Sequence, residues 1–129
     1  MNDSNEFTAS TNLAVIRGAV PSEPQTRELP AGGVVVQFDV ITRIEANGRP
    51  TSVSVPIAWN DPTPAQLGVV VPGAELVVIG TVRRRFFRVG GATQSRTEVV
   101  ADAVIPVRRR KGVSAALRDA ADRLLELVV

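Results

Sequence analysis

The segment from Glu75 to Val89 most constrains the fold, because it has the pattern of one uninterrupted β-strand. Pro72-Gly73 precedes it and Gly90-Gly91 follows it, and such pairs end strands in tight turns. A second segment rich in β-branched residues, Arg96–Val107, comes soon after the second turn. The pattern predicts a long β-hairpin.

Three shorter strands are predicted ahead of this hairpin, at Leu13–Val20, Val34–Ile44 and Thr51–Trp59. Asn47-Gly48 joins the last two, because this pair adopts the positive φ angles of a tight turn. Pro56 donates no ladder hydrogen bond, so it predicts an edge or a bulge in the third strand. Five strands at this spacing predict an all-β fold, either a small barrel or a sandwich.

Alternation along the long strand separates its two faces. Four residues are expected to face the interior: Leu76, Val78, Gly80 and Val82. Val77 and Ile79 then point outward, and exposed apolar pairs on a strand mark interfaces. We therefore expect a homo-oligomer, either a dimer or a tetramer. The alternative is that a helix of the same subunit covers this pair.

The C-terminal segment predicts an amphipathic α-helix. It follows the basic run Arg108–Lys111 and begins at Ser114, a residue type that caps helices. One stripe of this helix is apolar: Leu117, Ala120, Ala121, Leu124 and Val128. The helix packs on its own barrel, pairs with the same helix of a second subunit, or docks a different protein. Leu117 and Leu124 join Val77 and Ile79 in the expected oligomer interface.

The chain divides into three predicted parts. These are a disordered, polar and acidic segment over residues 1–11, a barrel domain over 12–107, and a basic linker with the helix over 108–129. The first segment lacks the basic and apolar pattern of a secretory signal. No stretch approaches the roughly 18 apolar residues of a membrane span. We expect a protein of the cell interior with no membrane partner.

The absence of cysteine and histidine narrows the possible chemistry. It excludes disulfides, thiolate nucleophiles, imidazole bases and the usual zinc sites. The acidic residues are scattered, and the sequence contains no glycine-rich phosphate loop ending in Gly-Lys-Ser/Thr. We expect no enzymatic activity, no metal, no cofactor and no small-molecule substrate.

Positive charge is concentrated in one part of the chain. Between Arg83 and Lys111 there are nine basic residues and two acidic ones, a local excess of seven positive charges in a chain whose net charge is +2. Clustered cations of this kind are typical of proteins that bind a polyanion, because each neutralised phosphate releases counterions. The alternative is a basic surface that only faces solvent.

Four segments, in this order, resemble the bacterial and phage single-stranded DNA-binding proteins (SSB) of the OB fold. They are NLAVIRGAV, TRELPAGGVVVQFDV, VPGAELVVIGTVRRRFF and RTEVVADAV, and they span about Asn12 to Val107. The resemblance implies a five-stranded OB-fold barrel with a long β-hairpin, to which this chain adds its C-terminal helix. It implies sequence-independent binding of single-stranded DNA in replication, recombination or repair, in the cytoplasm at the nucleoid.

The resemblance also carries over individual residues. Phe87 matches a stacking aromatic of the family, and Arg83 and Arg85 share its face. Trp59 matches a second aromatic, although alternation places it with the core unless a bulge at Pro56 changes the face. The expected nucleic-acid-binding residues are Arg43, Trp59, Arg83, Arg84, Arg85, Phe87, Arg88 and Arg96. Phe38 is expected in the core.

The chain departs from the family at several positions. Two further stacking aromatics would fall near Arg43 or Ile44 and near Val53, where none is present. With fewer aromatics, binding should be weaker and more electrostatic. We also expect no acidic C-terminal tail of the kind with which the family recruits partners, so replication or repair proteins would use the helix. Two other functions stay open: an OB-fold adaptor of a replication or restart complex, and RNA binding.

Overall fold

The computed structural model describes residues 10–126. Within them the chain forms six strands and two helices. In chain order these are β1 (Ala14–Ala19), β2 (Gln25–Glu28), β3 (Val34–Ala46), β4 (Arg49–Asn60), α1 (Pro64–Leu67), β5 (Glu75–Val89), β6 (Ala92–Pro106) and α2 (Arg110–Leu125). None of the helices in this range is long and apolar enough to cross a membrane. The segment predicted to be disordered lies almost entirely outside the described residues.

Five of the strands close into a ring. β5 pairs with β1 and β6, β6 with β4, β4 with β3, and β3 returns to β1 through Ala19 and Ile41. All pairings are antiparallel except the one between β4 and β6, at Ile57–Val99 and Ala58–Val100. The short strand β2, which lies inside the predicted proline loop, pairs with β3 and stays outside the ring. The structure confirms an all-β barrel of five strands.

The barrel interior is filled by alternate residues of the ring strands. Phe38 and Val40 of β3 pack against Ile57 and Trp59 of β4 and against Leu76 of β5, and all are buried. Burying each large apolar side chain contributes roughly 1.5–3 kcal/mol relative to exposure. The prediction that Phe38 lies in the core is confirmed.

Two glycines allow the ring to close. A Cβ at Gly18 would lie 2.2 Å from the Ile41 carbonyl oxygen, and one at Gly80 would lie 2.0 Å from that of Val100. Both neighbours are backbone atoms that cannot move aside without breaking strand pairing. At Gly80 the register between β5 and β6 also shifts, which is a β-bulge. The hairpin strands β5 and β6 therefore have their bulge at Gly80, where their backbones lie close together.

The long strand β5 changes surroundings at this bulge. Pairing with β1 ends at Ala14–Gly80, so beyond Gly80 the strand pairs with β6 alone. β6 still pairs with β4 at Val99 and Val100, opposite Val82 and Thr81, so the hairpin projects from the barrel as a two-stranded ribbon from Arg83 onward. Val82, expected in the interior, is 43% exposed, because it lies beyond the last residue of β5 that pairs with β1. The alternation of apolar residues continues to Val82 in the sequence, but the barrel core ends before this residue.

Helix α2 lies over the outer face of the barrel. Val77, Ile79 and Ala120 form a second buried cluster, with Val113 and Ala116 packed against it. The expectation that Val77 and Ile79 form an oligomer interface is therefore wrong, and the alternative cover by the helix of the same subunit is what the structure shows. Burying this pair within the chain already removes its apolar surface from water.

The helix also differs from its prediction at its start. It begins at Arg110, after Arg109, and not at Ser114, so half of the predicted basic linker is helical. Leu117 and Leu124 lie outside the buried cluster beneath the helix and are 40% and 49% exposed. An oligomer interface at these two leucines stays a prediction. Val128, the last member of the predicted stripe, lies outside the described residues.

Candidate functional site

The projecting ribbon carries most of the predicted binding residues, on two faces. We call one the Arg83 face: Arg83, Arg85 and Phe87 on β5, opposite Glu98, Arg96 and Gln94 on β6. We call the other the Arg84 face: Arg84, Phe86 and Arg88 on β5, opposite Thr97, Ser95 and Thr93 on β6. Gly90 and Gly91, both with positive φ, close the ribbon at its tip.

A buried acid organises the Arg83 face. Glu98 is 2% exposed and forms ion pairs with Arg83 and Arg85, the latter at 3.5 Å from Nε to Oε1. The Nε of Arg85 is buried and makes no hydrogen bond within the described part of the chain. Its guanidinium carbon lies 5.2 Å from the centre of the Phe87 ring, a cation–π distance. Glu98 therefore offsets part of the positive charge of this face.

The Arg83 face continues onto the barrel. Arg96 pairs with Asp39 of β3 at 3.5 Å. A depression of about 280 Å³ runs from the ribbon to β2 and is lined by Arg27, Leu29, Val35, Gln37, Ala58, Asn60, Arg83 and Arg85. The arginines of the ribbon thus border a shallow surface across three strands, and Arg27 is the one further charged residue in its lining.

The Arg84 face is more exposed and carries less negative charge. Phe86 is 66% exposed, and the Arg84 guanidinium carbon lies 6.0 Å from its ring centre. Arg88 donates a hydrogen bond from Nη2 to the Gly91 carbonyl oxygen at 2.9 Å. Within residues 10–126 neither Arg84 nor Arg88 forms an ion pair. Each face therefore holds an arginine beside a phenylalanine.

Sequence reasoning did not single out Phe86. The family resemblance pointed to Phe87, whose side chain is half-buried beneath Arg85. Phe86 points to the other side of the strand, the side that alternation assigns to the barrel interior. The signal in the sequence was the pair Phe86-Phe87 within an arginine run, since both faces of a projecting ribbon are open to solvent.

The structure brings six of the eight predicted residues together on the ribbon: Arg83, Arg84, Arg85, Phe87, Arg88 and Arg96. Trp59 is not among them. It is 6% exposed in the barrel core, and its predicted stacking role is corrected. The register of β3 and β4 runs unbroken from Val35–Asn60 to Ala46–Arg49, so no bulge at Pro56 turns Trp59 outward.

Arg43 is also separate from the ribbon. It lines a different depression, together with Arg17 and Glu75. No group of three or more acidic side chains that would hold a metal ion is present among residues 10–126. The ribbon offers charge and flat apolar rings: guanidinium groups to pair with anions and phenylalanine faces to stack on planar groups.

Glu98 is expected to stabilise the ribbon. Glu98→Gln should lower the free energy of unfolding by about 1–2 kcal/mol, because Arg83 and Arg85 lose their counter-charge while staying partly open to solvent. Urea unfolding followed by circular dichroism measures the change. The control is Asp102→Asn, which removes the same charge from an exposed pair with Arg123 and should cost about 0.5 kcal/mol or less. Equal effects of the two changes would contradict the role given to Glu98.

Comparison with known proteins gives a structural match only. No protein-family model matches the chain, and no curated protein matches its sequence. Among solved structures, a Plasmodium falciparum SSB in complex with single-stranded DNA has a similar fold, with a TM-score of 0.65 and 20% sequence identity. The match covers 75% of this chain and 95% of the other. At this identity the similarity shows the fold, and the five-stranded OB-fold barrel is confirmed.

Proposed function

We propose that this chain binds single-stranded DNA without sequence preference. One observation carries the proposal: the β5–β6 ribbon presents an arginine beside a phenylalanine on each of its faces, Arg85 with Phe87 and Arg84 with Phe86. Unpaired bases stack on such rings while guanidinium groups bind the phosphates. Because every base has a flat π-face, this mode of binding does not read sequence.

The fold supports the proposal. The protein in the similar solved structure is an SSB in complex with single-stranded DNA, and this chain shares its barrel. The ribbon also borders an open surface over β2, β3 and β4, where extended polymer has room to lie. OB folds use the face of such a sheet to bind oligonucleotides.

Charge makes the proposed binding sensitive to salt. The segment from Arg83 to Lys111 has nine basic and two acidic residues. Glu98 and Asp39 already pair with three of the arginines on the Arg83 face, so the cations on the Arg84 face are better placed to meet phosphates. Only two of the described aromatic residues, Phe86 and Phe87, lie on the ribbon, which leaves a large share of affinity to charge.

The biological setting follows from the proposed activity. A sequence-independent binder of this kind would act in replication, recombination or repair inside the cell. The second candidate is an OB-fold adaptor that assembles through α2, either with a second copy or with a replication or restart protein. It is favoured by the exposed leucines of this helix, Leu117, Leu124 and Leu125. RNA binding on the same ribbon is the third.

Fluorescence anisotropy separates these candidates. Labelled oligo-dT, oligo-rU and a DNA duplex of equal length are titrated with the protein at about 50 and 200 mM salt. We expect oligo-dT to bind more tightly than the duplex, and its affinity to fall steeply with salt. No binding of any oligonucleotide at low salt would overturn the proposal and favour the adaptor. Equal affinity for the duplex would reduce the ribbon to a nonspecific basic surface, and a preference for oligo-rU would indicate RNA.

A further inference from the structure

A second basic surface lies on the barrel, away from the ribbon. It consists of two depressions that share Arg17. One, of about 390 Å³, also reaches Arg43 and Glu75. The other, of about 340 Å³, also reaches Arg110 and Leu117. We call the joint feature the Arg17 groove, which runs from Arg43 on β3 across Arg17 on β1 to Arg110 on α2.

The cations of the Arg17 groove are available to a ligand. Arg43, Arg17 and Arg110 are all exposed, and within residues 10–126 none of them forms an ion pair. Glu75 is the one acid that lines the groove. With three arginines and one carboxylate in its lining, the groove is positively charged. The chain neighbours of Arg110 are also basic and exposed: Arg108, Arg109 and Lys111.

The basic residues at the start of α2 add to this positive charge and do not stabilise the helix. Its first turn contains no acidic residue, and its N-cap, Arg109, makes no side-chain capping hydrogen bond. The N-terminus of a helix already carries partial positive charge, so Arg110 and Lys111 oppose the helix dipole. Helix stability therefore does not explain a basic run at this place, whereas an anionic ligand in the adjoining groove does.

The groove and the ribbon lie at opposite ends of β5. Glu75 begins the strand and lines the groove, and Arg85 lies ten residues further along on the ribbon. At about 3.3 Å per residue the two places are up to about 33 Å apart along the strand. Phosphates of one strand of a duplex follow one another at about 3.4 Å along its axis, so about ten nucleotides at that spacing span the two places. An extended single strand is longer per nucleotide and spans them with fewer.

We propose that the Arg17 groove is a second subsite for the phosphate backbone of the same single strand that the ribbon binds. The inference rests on the proposed function. None of the residues lining the two depressions is aromatic, so this subsite binds by charge and without base stacking. Ile41 and Leu117, which also line the groove, offer apolar surface to sugars between the cations. Short oligonucleotides occupy one subsite, and long ones occupy both.

The test compares two oligonucleotide lengths. Affinities of the full chain for labelled dT5, which is too short to reach both subsites even when extended, and for dT30 are measured by anisotropy over a range of salt concentrations. The double variant Arg17→Ala/Arg110→Ala is compared with a control of equal charge change, Arg49→Ala/Arg118→Ala, at exposed positions outside both the groove and the ribbon. We expect the groove variant to bind dT30 about three- to tenfold more weakly and to bind dT5 as the natural chain does. For dT30, the plot of log affinity against log salt concentration should become less steep by about 1.4, which is 0.7 for each of the two lost phosphate contacts.

Three outcomes would overturn the inference. If the groove variant loses affinity for dT5 and for dT30 by the same factor, the groove is not a separate subsite. If the control variant loses as much affinity for dT30 as the groove variant does, the effect comes from the change in net charge only. If the natural chain binds neither oligonucleotide, the proposed function fails and the second subsite fails with it. The first two outcomes leave single-stranded DNA binding by the ribbon intact, so the two failures are distinguishable.

Discussion

Replacing both Phe86 and Phe87 by alanine is expected to weaken the binding of oligo-dT by about thirtyfold or more. Each base stacked on an aromatic ring contributes roughly 1–3 kcal/mol, so two rings lost together cost at least about 2 kcal/mol. Neither side chain belongs to the barrel core, so the variant should fold normally. Anisotropy at low salt measures the loss, and circular dichroism checks the fold.

The two phenylalanines should contribute unequally. Phe86 is the more exposed ring, while Phe87 is half-buried under the Arg85 guanidinium. Phe86→Ala should therefore cost more affinity than Phe87→Ala. Phe86→Tyr keeps the ring and should bind as the natural chain does. Val89→Ala, at an exposed apolar position on the same strand, serves as the matched control. Unchanged affinity of the double alanine variant would exclude the ribbon as the stacking surface.

Replacing Trp59 by alanine is expected to lower the free energy of unfolding by about 3–5 kcal/mol. The side chain packs with Phe38 and Ile57 in the barrel core, and removing a large buried ring leaves a cavity there. Urea unfolding measures the loss. Trp59→Phe, which keeps most of the volume, should cost clearly less. DNA affinity per folded molecule should not change in the phenylalanine variant, because the side chain does not reach the ribbon.

Trp59 also provides its own optical test, since it is the single tryptophan of the chain. Intrinsic emission therefore reports on this residue alone. We expect the emission of a buried tryptophan and little quenching when oligo-dT is added. Strong quenching by oligo-dT would show that a base stacks on Trp59 and would contradict its place in the core.

The elements that the sequence predicted best are those with local causes. Strand β5 begins at Glu75 and ends at Val89, as predicted, because Pro72-Gly73 and Gly90-Gly91 end the strand by their own backbone preferences. Asn47 and Gly48 adopt φ angles of 55° and 74°, as their residue types require in a tight turn. The apolar alternation of β3 likewise identified Phe38 as a core residue. Each of these features depends on a few neighbouring residues.

The site itself was predicted in part. Composition and charge placed the arginine run on the long hairpin, and the resemblance to SSB proteins pointed to Phe87. Phe86 was missed because alternation places it on the face of β5 that points into the barrel. That face is open to solvent only beyond the point where pairing with β1 ends, and the local sequence of β5 does not show where this point lies. The position of Trp59 also depends on a second strand, because the unbroken register between β3 and β4 directs its side chain into the barrel.

By itself, then, the sequence predicted the five strands of the ring, the turns that end the long strand and the basic hairpin, and its resemblance to SSB proteins predicted the barrel. The tertiary structure decided what covers each surface: α2 over Val77 and Ile79, solvent over Phe86, and the barrel core around Trp59. It also brought Arg43, Arg17 and Arg110 to one groove from three distant segments. The physical reason is that backbone preference and alternation act between near neighbours, whereas exposure depends on which distant strand or helix packs against a face.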